Sequence, residues 1–567
     1  MLMLAVGAGP LCAQLTIDQK LSDFQQLAAT YAKNYAPYEW KIEVERFDLF
    51  DLRPWLDRVR RTKDDIEFLE VCFEYVGSLN DGHAQLTIPS DFLAFLGFAV
   101  DIYDGKLLVD FIDRRSLPLA RFPIREADEL ISVDGITGEQ WLQRLRLFNA
   151  AGNERSSRRF AAQMITLRPQ AYYPSAHRVG ETATVVIQGQ SGARETLEIP
   201  WIKTGTAMEA AGRVPSFRTS AAQPKASESG EGSLLGPDLE EVPGRLSLLR
   251  DLQTWRFRRL PENMVLNFGS VAPIYRLPAN LQLRLGRTPA DFFVSGTYTS
   301  GGVRIGYIRI PNYFPFSPVL ALQQFATEVA FFEANTDGLV IDNMRNPGGN
   351  ACYLNELVRL LMPYQYRTLG LEFRATARLV AAFSAELEEA RLLNAPQWVI
   401  DLLRSQLAAI SSAYKENRGR TGPLPICNFS LDEPPARDRN GRVIAYTKPI
   451  VVLADDMSAS GGDAFPAILQ DNDRAIILGI RTMGLGGAVL EFDAGSFSEM
   501  STGVTIALMN RKNPVATSEY PTAPYVENIG VRPHVYYDYM IRENLLDRGT
   551  AFVNFFTQAV IDAVRGR

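Results

Sequence analysis

Pro449-Ile450-Val451-Val452-Leu453-Ala454-Asp455-Asp456-Met457-Ser458-Ala459-Ser460-Gly461-Gly462-Asp463 is the stretch on which the reading of this chain turns. Residues 449 to 454 are apolar throughout and read as a buried strand. Asp455 to Asp463 reads as a turn, and Ala464 to Gln470 as a helix with Pro466 tolerated in its first turn. A hydrolase nucleophile is commonly displayed on such a strand-to-helix turn. Its oxygen is exposed there, and the following backbone N–H groups point at the reacting carbonyl. Ser460 and Ser458 both fit this pattern; the plain alternative is a turn whose serine caps the helix. The two glycines behind Ser460 would let a substrate backbone approach closely.

Upstream, Ile341-Asp342-Asn343-Met344-Arg345-Asn346-Pro347-Gly348-Gly349-Asn350 repeats the theme of a strand end, a glycine pair and a helix start. Its glycines could aim an amide donor into a cleft. Around it the pattern alternates: strands at Val303 to Ile310 and Gly338 to Asp342, an amphipathic helix from Pro318 to Asn335, and a helix capped by Asn350 running to Met362. From about Leu260 onward the fold class is therefore α/β. A helical stretch from about Ala375 to Asn417 interrupts it.

A serine nucleophile needs a base, and the chain has 3 histidines to search: His83, His177 and His534. His83 sits in Asn80-Asp81-Gly82-His83, where Asn-Asp-Gly is strong turn chemistry. His177 has no catalytic context, and His534, after Arg532-Pro533, reads as structural. His83 is the best candidate of the three.

The rest of the chain divides by pattern. Leu21, Phe24, Leu27 and Tyr31, then Ile66, Leu69, Val71, Cys72 and Tyr75, have helical spacing and predict a helical domain over 14–90. Short β-rich runs predict a small β domain over 91–203. Within it Phe95-Leu96-Gly97-Phe98 resembles a PDZ carboxylate-binding loop, and Ala127 to Gly135 resembles that family's strand and turn. Residues 204–262 read as a linker or processing segment. Ser216 to Gly232 in particular has too little apolar surface to offset chain entropy. The α/β region is 263–567.

At 567 residues, the chain is long enough for two to four domains. Lys+Arg 59 against Asp+Glu 65, a formal charge of -6, is too weak and of the wrong sign for a phosphate-binding surface, so no nucleic-acid partner is expected. No apolar run is long enough for an integral membrane segment. Met1 to Gln14 reads as a clipped signal peptide spanning 1–13, which makes the expected location secreted or periplasmic. Without it, Cys72, Cys352 and Cys427 remain, an odd count at wide spacings that predicts neither a disulfide framework nor a metal site.

Ser458-Ala459-Ser460-Gly461-Gly462-Asp463, with Leu469 to Ala475 and Leu478-Gly479-Ile480-Arg481-Thr482, resembles the nucleophile region of the tail-specific or C-terminal-processing proteases, family S41. Arg345-Asn346-Pro347-Gly348-Gly349 resembles that family's oxyanion element. Members with a Ser-Lys dyad carry Thr-x-Gly-Lys, whereas this chain has Thr482-Met483-Gly484-Leu485, and leucine cannot accept a proton. The resemblance is therefore to the Ser-His-Glu branch that includes tricorn protease and the chlamydial protease-like activity factor. It places the histidine at His83 and the glutamate at Glu527, in Glu527-Asn528-Ile529-Gly530-Val531-Arg532-Pro533-His534.

The resemblance implies a ClpP/crotonase-like α/β protease domain and peptide-bond hydrolysis through an acyl-enzyme on Ser460. His83 would be the base and Glu527 would accept its other ring N–H. The amides of Gly461 and of Gly348 or Gly349 would supply the oxyanion hole. Protein or peptide substrates are expected, with no metal and no cofactor. A removable internal segment and homodimer formation are further expectations from that branch. Two other readings stay open: a catalytically inactive relative that binds peptides or hydrophobic ligands, and an acyl-transferring enzyme on a crotonase-like fold.

Overall fold

A computed structural model describes residues 14–148, 150–211, 268–428 and 430–566, with residues 246, 248, 252 and 254–256 between them. The expectations for residues 1–13 and for most of the 204–262 segment fall outside the described residues.

The protease region is built on a seven-stranded sheet in the order Gln282–Leu285, Val294–Ser300, Val303–Arg309, Gly338–Asp342, Ile450–Ala454, Ile476–Gly479 and Val535–Tyr536. The first two pairings are antiparallel and the remaining four parallel. Gly338–Asp342 and Ile450–Ala454 lie in the middle and are buried along their whole length, which explains their unbroken apolar sequence. Leu339, Ile341 and Val452 face a core shared with Phe325, Val329 and Phe332 of the helix Pro318–Asn335. Val340, Val451 and Leu453 face the opposite core, with Phe552, Phe556 and Val560 of the helix Thr550–Val564. Both strands end where the sheet's parallel strands deliver their C-terminal ends, the usual place for a site in such a sheet.

A second sheet centres on the long strand Ser501–Val515, which pairs with Gly487–Asp493, Gly370–Phe373, Leu86–Thr87 and Ala523–Tyr525. The helix Ile17–Asn34, opened by a capping box between Thr16 and Gln19, packs on this strand. Tyr31 Oη meets Thr502 Oγ1 at 2.7 Å, and the Ala36 amide donates to the Thr505 carbonyl. The N-terminal helices thus share a core with the protease region. Ala377–Leu392 and Gln397–Lys415 form a helical hairpin between strands.

The β-rich region forms a sheet in the order Phe98–Tyr103, Lys106–Ile112, Glu129–Val133, Thr182–Gln188 and Arg194–Pro200, with Ile136–Thr137 pairing to Glu129–Val133. Ala183, Val185 and Ile187 alternate into its core with the period of two that a half-covered strand requires. At the Phe95-Leu96-Gly97-Phe98 loop, the Leu96 amide donates to the Thr166 carbonyl.

One cysteine expectation is corrected. Cys352 and Cys427, 75 residues apart, form a disulfide, and Cys72 is buried and free. The spacing hid the pair because the helical hairpin brings distant segments back to the start of the helix Ala351–Arg359. Among the described residues no helix is long and apolar enough to cross a membrane.

Candidate active site

The strand Ile450–Ala454 runs into the turn carrying Ser460, whose backbone lies at φ 56 and ψ -110. An L-residue adopts that conformation only under constraint, and here the constraint is visible. The Ser460 amide donates to Asp463 Oδ2 at 2.7 Å, and the Ala459 amide donates to the Asn346 carbonyl at 2.8 Å. The glycines after Ser460 are explained by the neighbouring turn. A Cβ on Gly462 would lie 2.2 Å from the Asn346 carbonyl oxygen, and one on Gly461 would lie 2.9 Å from Gly348 Cα and 3.1 Å from Gly349 N. The two glycine-bearing turns therefore touch.

The helix begins at Gly461 and runs to Asp471, so Pro466 stands beyond its first turn, contrary to the sequence expectation. Proline there deprives the Gly462 carbonyl of its usual helical partner. Asn343 Nδ2 donates to that carbonyl at 2.8 Å and replaces the missing bond.

His83 reaches this turn from far upstream. Its Nε2 lies 3.0 Å from Ser460 Oγ, and both residues are buried. Asp81 shapes the histidine turn. Its Oδ1 accepts the His83 amide at 2.8 Å, and its Oδ2 accepts from Tyr35 Oη at 3.0 Å and Thr505 Oγ1 at 2.7 Å. Burial drives the His83 pKa down to about 4; the Asp81 charge opposes the shift and the Lys41 charge adds to it. The imidazole is thus neutral, the form that can accept a proton.

Glu527 comes to the same region without touching the ring. Its Oε1 lies 2.5 Å from Lys41 Nζ and its Oε2 accepts the Gly486 amide at 3.0 Å. His83 Nδ1 is buried with no hydrogen-bond partner among the described residues. The expected Glu527–imidazole hydrogen bond is replaced because a buried ammonium competes for the carboxylate, and a charge-assisted bond is the stronger one. Burial and the Asp81 charge push the Glu527 pKa up to about 8, against the pull of Lys41.

Of the expected oxyanion glycines, Gly348 donates its amide to Asn346 Oδ1 at 2.9 Å and is occupied. Gly349 N is the amide brought beside Gly461. Ser458, the other serine weighed on pattern, donates to the Asn343 carbonyl at 2.9 Å and to Asp455 Oδ1 at 3.1 Å and holds the turn together. His534 Nδ1 accepts from the Ile477 amide at 3.0 Å, and His177 Nδ1 meets Gln170 Nε2 at 2.7 Å. Neither approaches Ser460 within hydrogen-bond distance. Leu485 is buried in an apolar cluster with Phe160, Phe268, Met457, Ala459 and Met483.

Sequence reasoning missed Lys41, Asp81 and Asp463. Lys41 lies on the short helix Tyr38–Glu45, whose sequence has no pronounced apolar face and nothing to mark a buried lysine. Asp81 was visible only as turn chemistry. Asp463 was visible as part of the nucleophile motif, but its role in gathering the amides of Ser460, Gly484 and Leu485 depends on the fold. Burial raises its pKa to about 7 while those donors resist. Among the described residues, no group of three or more His, Cys, Asp or Glu is arranged to hold a metal ion.

A serine on a strained strand-to-helix turn, paired with a neutral buried histidine at the end of a parallel sheet, is the arrangement of a serine hydrolase. Residues 304–536 match Peptidase family S41. An uncharacterized protein of Chlamydia muridarum is 26% identical over 575 residues, covering 92% of this chain and 89% of its own length. A Chlamydia pneumoniae protein is 23% identical over 604 residues, covering 97% and 91%. Among solved structures, mature CPAF complexed with lactacystin superposes with a TM-score of 0.73 at 21% identity, over 97% of this chain and 99% of that one. Mature CPAF alone gives 0.72 at 22% identity, over 97% and 98%. These structural likenesses establish the shared fold.

Proposed function

We propose that the protein is an endopeptidase that cleaves peptide bonds through an acyl-enzyme on Ser460, with His83 as general base and Glu527 as the supporting carboxylate. The observation that carries this reading is the 3.0 Å approach of His83 Nε2 to Ser460 Oγ. Ser460 Oγ attacks the scissile carbonyl as its proton passes to Nε2. His83 then returns that proton to the leaving amine, and water repeats the sequence to free the acid. The amides of Gly461 and Gly349 face the developing oxyanion, and a donor of this kind is worth roughly 3 to 4 kcal/mol in the transition state. Glu527 acts through its charge, from behind Lys41, rather than by bonding the ring.

The internal segment is proposed to be self-processed. Support comes from residues 254–256, which pair antiparallel with Gly348–Asn350, the strand bearing the oxyanion glycine. A strand in that position lies where an extended substrate would add to the site. The Cys352–Cys427 disulfide supports export to an oxidising compartment.

The test is labelling with a fluorophosphonate, with lactacystin as a second probe because mature CPAF forms a complex with it. Wild type labels at Ser460 and cleaves a denatured protein substrate; Ser460→Ala and His83→Ala do neither while retaining their melting temperatures. Labelling of a folded His83→Ala protein at the wild-type rate rejects the base. A wild type that neither labels nor cleaves, yet binds peptides, establishes the inactive-binder reading instead. For self-processing, intact masses should show wild type cut between 204 and 262 and Ser460→Ala uncut.

A further inference from the structure

We infer that Lys41 is a positioning residue for acyl transfer: its ammonium ties the turn that carries His83 to the segment that carries Glu527, and so fixes the approach of His83 to Ser460. The inference rests on the reading of Ser460, His83 and Glu527 as the catalytic set.

Lys41 lies on the short helix Tyr38–Glu45 and is 1% exposed. An ammonium has three N–H donors, and all three find acceptors here: the Asn80 carbonyl at 2.9 Å, Glu527 Oε1 at 2.5 Å and Asn528 Oδ1 at 2.6 Å. Asn80 opens the His83 turn in a left-handed conformation, φ 46, and Asn528 follows Glu527 with φ 60. Asn528 Nδ2 closes the cluster by donating to the same Asn80 carbonyl at 3.1 Å and to the Gly152 carbonyl at 2.7 Å. Two segments 448 residues apart, each with an unfavourable backbone residue, are thus joined through one cation.

The helix that presents Lys41 is itself fixed. Trp40 donates Nε1 to Asn528 Oδ1 at 3.1 Å, and its ring packs against Tyr520 and Tyr525. With every donor engaged, Lys41 has nothing with which to accept the Ser460 proton, so it cannot replace His83 as the base. A charge this deeply buried is costly unless its partners gain from it. The gain falls on the active site: the ammonium favours ionised Glu527 and disfavours protonated His83.

The charged and titratable groups around His83 are Asp81 in its own turn, Tyr35 behind Asp81, Lys41, Glu527, and Asp463 beneath Ser460. Removing the Lys41 charge moves both His83 and Glu527 toward protonation. Both limbs of the pH–rate profile then move to higher pH, a change that loosened packing alone does not produce.

The test measures kcat and KM for peptide cleavage from pH 4 to 10 in wild type, Lys41→Met, Lys41→Arg and Glu527→Gln, with Ser460→Ala and His83→Ala in the same assay. Lys41→Met should lose about 10²-fold in kcat at neutral pH, the scale of a small misplacement of a catalytic group, with KM little changed and both limbs shifted upward. Lys41→Arg keeps the charge but not the compact three-way geometry, so it should keep the limbs and lose kcat. A folded Lys41→Met enzyme with unshifted limbs, or a loss confined to KM, overturns the inference. If Lys41→Met does not fold, the comparison passes to Lys41→Met/Glu527→Gln against Glu527→Gln, where no buried carboxylate is left unpaired. An upward shift of the acid limb sustains the inference and its absence overturns it. A fully active His83→Ala enzyme would instead bring down the catalytic reading itself, a result that does not depend on any Lys41 variant.

Discussion

His83 Nε2 stands 3.0 Å from Ser460 Oγ although 377 residues separate them, and the turn that holds the imidazole is anchored on Tyr35 and Thr505 rather than on the nucleophile's own neighbours. The serine–histidine pair therefore exists only when the N-terminal helices are seated on the strand Ser501–Val515. Two titrations should govern it. The neutral imidazole is the working form, so activity dependent on it is lost as pH falls through about 4. Glu527, raised to about 8, becomes ionised only as pH rises through that value. We expect kcat/KM to keep climbing between pH 7 and 9, and Glu527→Gln to flatten that upper step while retaining the acid limb. An upper step that survives in Glu527→Gln would assign it to another group.

Much of this site was legible because its parts are local and chemically stereotyped. The buried strand 450–454, the Ser-Gly-Gly turn and the Asn-Asp-Gly-His turn each announce themselves within a few residues. The scarcity of histidine did the rest. What was illegible depended on partners distant in sequence. Glu527 was expected to bond His83, but the structure gives it to Lys41, whose surrounding sequence marks only the face of a short helix. Gly348 and Gly349 could not be separated until Asn346 Oδ1 was seen to occupy one of them. Gly461 and Gly462 suggested room for substrate, yet they are needed for the close packing of two turns of the chain itself. The cysteine pair followed the same rule: a separation of 75 residues conveys nothing until the intervening hairpin is folded.

Asn343 and Pro466 should be energetically coupled. Asn343 Nδ2 supplies the hydrogen bond to the Gly462 carbonyl that Pro466 cannot, and its Oδ1 accepts from Tyr313 Oη at 2.8 Å. Asn343→Ala leaves buried polar groups unsatisfied and should cost about 1–3 kcal/mol in urea unfolding. Pro466→Ala restores a backbone N–H within the helix, so the double variant should be more stable than the sum of the single changes implies. Strict additivity would show that the two residues do not share that carbonyl.

The Cys352–Cys427 disulfide should be a stability element. It ties the first turn of the helix Ala351–Arg359, just beyond Gly349, to the segment leaving the helical hairpin. Removing a native bridge of this kind typically costs about 2–5 kcal/mol. The Cys352→Ala/Cys427→Ala protein should melt lower than wild type under oxidising conditions and should be insensitive to dithiothreitol, whereas wild type should fall toward it when reduced. Identical melting curves for all four samples would remove the bridge from the native protein.

Arg159 should control how the β domain is seated on the nucleophile turn. Its guanidinium is 1% exposed. It bonds Asp101 of the strand Phe98–Tyr103 through Nη2 at 2.6 Å and Nε at 3.0 Å, and bonds Asp456, four residues before Ser460, through Nη1. Arg155 Nε adds a second bond to Asp456 at 2.6 Å. Burial alone would raise the Asp456 pKa, but the charges and hydrogen bonds of Arg159 and Arg155 hold it below the ordinary carboxylate range. Its contribution to stability is therefore complete above that range and is lost as pH falls through the depressed value. Arg159→Met leaves Asp101 with only Arg345, 3.9 Å away, and Asp456 with Arg155 alone, and should cost about 3–5 kcal/mol at neutral pH, with a matching loss of fluorophosphonate labelling. Asp101→Asn/Arg159→Met/Asp456→Asn, which leaves no unpaired charge among the three, should recover much of that stability. If the triple variant is no more stable than Arg159→Met, the cost lies in packing rather than in the under-paired carboxylates.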